Sequence, residues 1–98
     1  MSTELSRRPF DMEAGWEMSS EVSVRPERFG ALLYHFGTRR LSFLKSPLML
    51  QIVRGLADSG TAREACIKVG VPETALPTYR AALMTLAASD MIRERNAT

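Results

Sequence analysis

Apolar positions along this chain recur at two different spacings, and the change between them divides it. Residues 1–14 are polar and show no apolar period, so they read as a mobile tail ahead of a folded domain at residues 15–95. Trp16 opens the patterned part. From Glu17 to Arg25 the apolar residues Met18, Val22 and Val24 alternate loosely, which predicts a first strand interrupted near Ser19–Ser20. Arg25-Pro26-Glu27 is expected to end it, because proline gives no donor to a ladder. Phe29–Phe36 is the strongest strand signal: apolar and aromatic residues fill both alternation sets, so both faces should be covered. After a Gly37-Thr38 turn, Arg39–Lys45 alternates again. Leu41 and Phe43 point one way; Arg40, Ser42 and Leu44 point the other.

Beyond Lys45 the period lengthens to that of a helix. Ser46-Pro47 is a helix start, with Ser as N-cap and Pro in the first turn. Leu48, Met49, Ile52, Val53 and Leu56 form one apolar face, and Asp58-Ser59-Gly60 closes the helix. Thr61-Ala-Arg-Glu64 has the form of a capping box for a short second helix with Ala62, Ala65, Cys66 and Val69 on its inner face. Gly70-Val71-Pro72 turns the chain into a third helix, from Glu73 or Pro77 to about Ser89, with Tyr79, Leu83 and Leu86 on its apolar side. The expected fold class is α+β: a three-stranded antiparallel sheet followed by three helices, winged helix-turn-helix-like.

Charge is unevenly spread. Residues 1–21 hold two basic and five acidic residues; from Val22 onward there are eleven basic and six acidic, leaving −3 on the first part and +5 on the body. A basic body favours an acidic partner, or the acidic segment folding back over it. The single cysteine, Cys66, excludes an internal disulfide and fits a reducing, cytoplasmic compartment. Neither a signal peptide nor a membrane span is expected.

Catalytic chemistry is hard to place. One histidine and one cysteine are too few for the usual zinc site, so no metal or other cofactor is expected. His35 reads as a packed or surface residue and Cys66 as a small buried hydrophobe. The six glycines show no phosphate-loop spacing. The chain is therefore expected not to be an enzyme.

Two binding functions compete. A winged-helix DNA-binding regulator would carry several cations on its third helix, yet Pro77 to Ser89 contains only Arg80. The alternative is peptide capture. The strand Arg40–Lys45 can lie at a sheet edge, where an extended peptide pairs by strand addition. Arg25, Arg28, Arg39, Arg40 and Lys45 cluster around the strands and suit an acidic peptide better than a duplex.

The run Arg25-Pro-Glu-Arg-Phe-Gly-Ala-Leu-Leu-Tyr-His-Phe-Gly-Thr-Arg-Arg-Leu-Ser-Phe-Leu-Lys-Ser-Pro47, with Thr85-Leu-Ala-Ala-Ser-Asp-Met-Ile92, resembles the mycofactocin precursor peptide chaperones over about residues 15–95. That family is related to the pyrroloquinoline quinone peptide chaperone and belongs to the recognition elements of ribosomally made, modified peptide (RiPP) pathways. The resemblance implies binding of a precursor's leader as an added strand between the third strand and the third helix. It also implies a partner, a radical S-adenosylmethionine maturase, to which the peptide is presented. On this chain the implied groove is Arg40, Leu41, Ser42, Phe43, Leu44 and Lys45, facing Tyr79, Arg80, Leu83 and Met84.

Overall fold

The computed structural model describes residues 10–95. Five strands and three α-helices follow one another as β1 (Trp16–Met18), β2 (Val22–Glu27), β3 (Gly30–His35), β4 (Leu41–Leu44), α1 (Pro47–Gly55), α2 (Ala62–Lys68), α3 (Leu76–Ala88) and β5 (Ile92–Glu94). The class is α+β, with antiparallel sheets. β2, β3 and β4 form a three-stranded sheet in that order, while β1 pairs with β5 in a separate two-stranded ribbon.

The interrupted first strand is thus two strands in two sheets. The break falls at Ser19, which is buried; its N–H donates to Met91 O at 2.9 Å and its hydroxyl accepts from Glu21 N–H at 3.1 Å. Pro26 does not end β2, which runs on to Glu27 with Pro26 opposite Ala31. The proline is tolerated because β2 is an edge strand. Ala31, Leu33 and Leu44 turn inward onto α1 and form the core with Ile52, Val53, Leu56 and Leu83. Gly30 opens β3 where Leu44 O crosses so closely that it leaves no room for a Cβ, so only glycine fits. At the other end of the hairpin His35 Nδ1 accepts from the N–H groups of both Gly37 and Thr38, each at 3.0 Å. Nδ1 thus acts as the acceptor that closes this turn.

The helix starts follow the sequence signals with one shift. Ser46 Oγ accepts from Met49 N–H and Thr61 Oγ1 from Glu64 N–H, each at 3.1 Å. Glu64 reaches back to the N–H of Gly60 at 2.9 Å, one residue before the cap. The two N–H groups at the start of α2 find partners in the chain's own beginning: Ala62 donates to Ala14 O and Arg63 to Met12 O, both at 3.0 Å.

Those contacts take residues 10–14 out of the segment that the pattern reads as a mobile tail. Residues 1–9 lie outside the described residues, but 10–14 are part of the packed domain. Phe10 and Met12 are each 6% exposed, and the Phe10 ring lies 4.6 Å from Trp16. Trp16 Nε1 donates to Asp11 O at 2.8 Å. An isolated Phe and Met among polar residues carry no periodicity, so burial supplied by tertiary packing leaves no local signal.

The chain leaves α3 through Asp90, whose φ is 64°, with Met91 N–H returning to Leu86 O at 2.9 Å. A left-handed position after a helix favours glycine, and a carboxylate at a helix C-terminus opposes the helix dipole. Asp90→Gly should therefore raise unfolding stability by about 0.5–1 kcal/mol in urea titration. Met91 and Ile92, fully or nearly fully buried, then anchor β5. Arg95 completes the closure: its guanidinium donates to the carbonyls of Ala57, Ser59 and Gly60, tying the chain's end to the α1–α2 connection.

Candidate functional site: a groove between an edge strand and the third helix

Among the described residues β4 has a partner on one side only. Which of its backbone groups are free follows from register. His35 N–H donates to Arg40 O at 2.9 Å, whereas Phe36 N–H donates to Glu21 O at 2.8 Å on the β2 side. Alternation along β3 then sends the N–H and C=O of Leu33 and Ala31 toward β4, where they meet Ser42 and Leu44. The amides of Ser42 and Leu44 are consequently spent in the sheet, and those of Leu41 and Phe43 point outward from its edge. Side chains divide by the other alternation. Leu44 is buried, while Leu41 and Phe43 are 56% and 62% exposed on the outer face.

Beside this edge runs a groove of about 560 Å³. Leu44, Met49 and Leu86, all buried, form its floor. One wall is Leu41–Lys45 with Ser46; the other is the stripe Thr78, Tyr79, Ala82 and Thr85 of α3. Ala82 is small enough to let a backbone approach. The Thr85 hydroxyl donates to Ala81 O within its own helix at 3.2 Å, so it offers a methyl group more than a hydrogen bond. Among the described residues, Lys45 is the one charged residue in the lining, and no carboxylate is there. Arg40 stands immediately before β4 and Arg80 immediately after Tyr79, both exposed.

Six of the ten residues expected from the sequence line this groove: Leu41, Ser42, Phe43, Leu44, Lys45 and Tyr79. Arg40 and Arg80 flank it without lining it. Leu83 is fully buried in the core and Met84 is exposed outside the lining, so the helix presents a different stripe from the one expected. With about 100° per residue, the stripe through Tyr79 runs to Ala82 and Leu86 and takes in Thr78 and Thr85 on its flank. Ser46, Met49, Thr78, Ala82, Thr85 and Leu86 went unassigned. Ala82, Thr85 and Leu86 lie on the Tyr79 side of α3, but helical phase alone does not separate that stripe from Leu83; Met49 had no signal beyond its place on the apolar face of α1.

Among the described residues no group of three His, Cys, Asp or Glu side chains is placed to hold a metal ion. Cys66 is buried, and burial pushes its thiol pKa up, away from the reactive thiolate. Among the described residues no helix is long and apolar enough to cross a membrane.

Residues 15–93 match the model of the peptide chaperone MftB family. The chain belongs to that family. It is 52% identical over 83 residues to the peptide chaperone MftB of Mycobacterium ulcerans strain Agy99, covering 85% of this chain and 76% of that one. The corresponding figures are 49% over 89 residues, 91% and 82%, for the peptide chaperone MftB of Mycobacterium tuberculosis strain H37Rv. For that of Mycolicibacterium smegmatis they are 45% over 93 residues, 94% and 91%. These relatives are named as chaperones, not enzymes. Comparison with solved structures returns no match. The MftB match begins at Gly15 and ends at Arg93, so it takes in all of β2–β4, the three helices and the groove between β4 and α3.

Proposed function

We propose that this chain is a cytoplasmic peptide chaperone that binds the leader of the mycofactocin precursor as an extra strand on β4 and presents it to a radical S-adenosylmethionine maturase. The observation that carries the reading is the free edge of β4 bordering an apolar groove whose far wall is α3. Outward amides and carbonyls of Leu41 and Phe43 supply backbone pairing, which is indifferent to sequence. The floor of Leu44, Met49 and Leu86 takes apolar side chains on one face of the added strand, and that supplies selectivity. Lys45, Arg40 and Arg80 favour carboxylates in the ligand, which matches the net positive body. The chaperone contributes no electrons or radicals; it raises the local concentration of substrate at the enzyme.

Calorimetric titration of the domain with a synthetic leader tests this. A one-to-one isotherm at about micromolar affinity or tighter, near −8 kcal/mol, is expected. Absence of heat from a folded domain, or duplex DNA binding that falls steeply with salt, would overturn it. Charge reversal gives a second check. Arg40→Glu with Arg80→Glu should weaken leader binding by about five- to tenfold at low salt, and the difference should shrink at high salt. Equal affinities at low salt would remove the electrostatic part of the proposal.

A further inference from the structure

The groove uses one edge of the three-stranded sheet, but the sheet also has an outer face that no element covers among the described residues. Register places Leu32 and Tyr34 of β3 on it, opposite Phe43 and Leu41 of β4. Phe29 packs beside Phe43 at 6.2 Å, and Phe36 meets Tyr34 edge-on at 5.6 Å. Six large apolar side chains are exposed among the described residues, and four of them, Phe29, Phe36, Leu41 and Phe43, are gathered here, each 46% to 62% exposed. Such clustering on one face of a small domain marks a contact surface.

Charge around the face narrows the occupant. Arg28 lies in the turn at one end of the sheet, Arg39 and Arg40 in the turn at the other, and none has a carboxylate partner among the described residues. Arg25 is held by Glu27 at 2.7 Å. By contrast Arg63 and Arg93 pair with Glu13 and Glu17, and Arg95 is bound to backbone carbonyls. The acidic segment thus neutralises the β1–β5 and α2 end and leaves the rim of the sheet cationic. A second copy would bring arginine against arginine, which like-charge repulsion disfavours. Single-stranded nucleic acid needs open ring faces for stacking, whereas these rings lean on each other in pairs and no Asn or Gln stands among them to read bases. Phenylalanine, tyrosine and arginine around an apolar centre are the composition of a protein–protein interface.

We infer that the outer face of the β2–β4 sheet docks a folded protein whose contact surface is apolar at its centre and carboxylate-rich at its rim, and that this partner is the enzyme that receives the peptide. The partner's identity rests on the chaperone reading above. The geometry gives a reason for the pairing: a peptide added at the β4 edge widens this same face, so the enzyme meets sheet and peptide as one continuous surface.

The test uses the full chain carrying Phe29→Ser with Phe36→Ser, two exposed positions outside the groove, and separately Arg28→Glu with Arg39→Glu. Circular dichroism establishes that each is folded. Leader peptide, purified maturase and a thymidine 20-mer are then titrated against wild type and both variants, and self-association is followed by sedimentation. Loss of maturase binding by at least about tenfold, with leader affinity retained, is expected in both variants. Maturase that binds the variants as it binds wild type, or does not bind wild type, would overturn the proposal. So would leader affinity falling alongside, which would make the face part of the peptide site. Oligonucleotide binding or a dimer abolished by the same substitutions would also overturn it. The leader titration on wild type decides the chaperone reading on its own, so the two failures are distinguishable.

Discussion

Phe43→Pro is expected to leave the domain folded and to weaken leader binding by at least about tenfold, while Ser42→Pro, one residue earlier, unfolds or strongly destabilises it. The contrast follows from which amides of β4 are occupied. The Ser42 N–H is directed at Leu33 in β3, so its removal breaks the β3–β4 ladder and leaves the Leu33 carbonyl without its donor. The Phe43 N–H points away from the sheet, where proline is tolerated on an edge strand. Its loss costs the free protein little, but an incoming strand then meets a ring in place of a donor. One missing hydrogen bond is worth about 0.5–1.5 kcal/mol, and an unpaired acceptor on the peptide raises the total, so affinity should drop by at least about tenfold. Phe43→Ala keeps the amide and separates backbone from side chain; it should bind leader far better than Phe43→Pro. Calorimetry for binding and thermal melting for stability read the two effects apart. A Phe43→Pro variant that binds leader normally would remove strand addition on β4 from the account.

The second large effect is on stability. Phe10→Ala should lower unfolding free energy by about 3 kcal/mol or more, as expected for a buried phenylalanine truncated in a core. For a domain of this size that is a fall in Tm of about 12 °C or more. Phe10 is 6% exposed and packs on Trp16, which is itself 6% exposed. Residues just after it supply the carbonyls that satisfy Ala62 and Arg63 at the start of α2. Loosening this segment therefore exposes apolar surface and uncaps a helix together. Urea unfolding of the variant and wild type checks this, and unchanged stability would mean that residues 10–14 are not held on the core.

Elements whose cause is local were legible in the sequence. Ser46-Pro47 and Thr61-x-x-Glu64 place the starts of α1 and α2 because a hydroxyl beside the first turn satisfies N–H groups wherever the helix goes afterwards. The Phe29–Phe36 and Arg39–Lys45 alternation likewise gave the hairpin, with Gly37-Thr38 between. What was not legible depends on distant parts of the chain. β5 is three residues long and exists because Trp16–Met18 lies beside it. Pro26 reads as a strand terminator until β2 is known to be an edge. Phe10 and Met12 look like strays in a polar tail until Trp16 and α2 are in place.

The candidate groove divides in the same way. Its strand wall was found because an alternating segment at the end of a hairpin is an edge by topology. Its helix wall was mis-phased. A mostly apolar helix shows no clear face, so nothing local to Leu76–Ala88 distinguishes the stripe Tyr79, Ala82, Leu86 from that of Leu83. The register-dependent fact that Leu41 and Phe43 carry the outward amides needed the hydrogen bonds of His35 and Phe36, which lie on β3 and its exit.

The central claim is that a peptide becomes the fourth strand of this sheet, and amide hydrogen exchange at four consecutive residues tests it. In the free domain Ser42 and Leu44 should be protected and Leu41 and Phe43 should exchange quickly. On saturation with leader, Leu41 and Phe43 should become protected while Ser42 and Leu44 change little, an alternation that only pairing along the β4 edge produces. Leader binding that leaves Leu41 and Phe43 exchanging as before would contradict the account and move the peptide elsewhere on the domain.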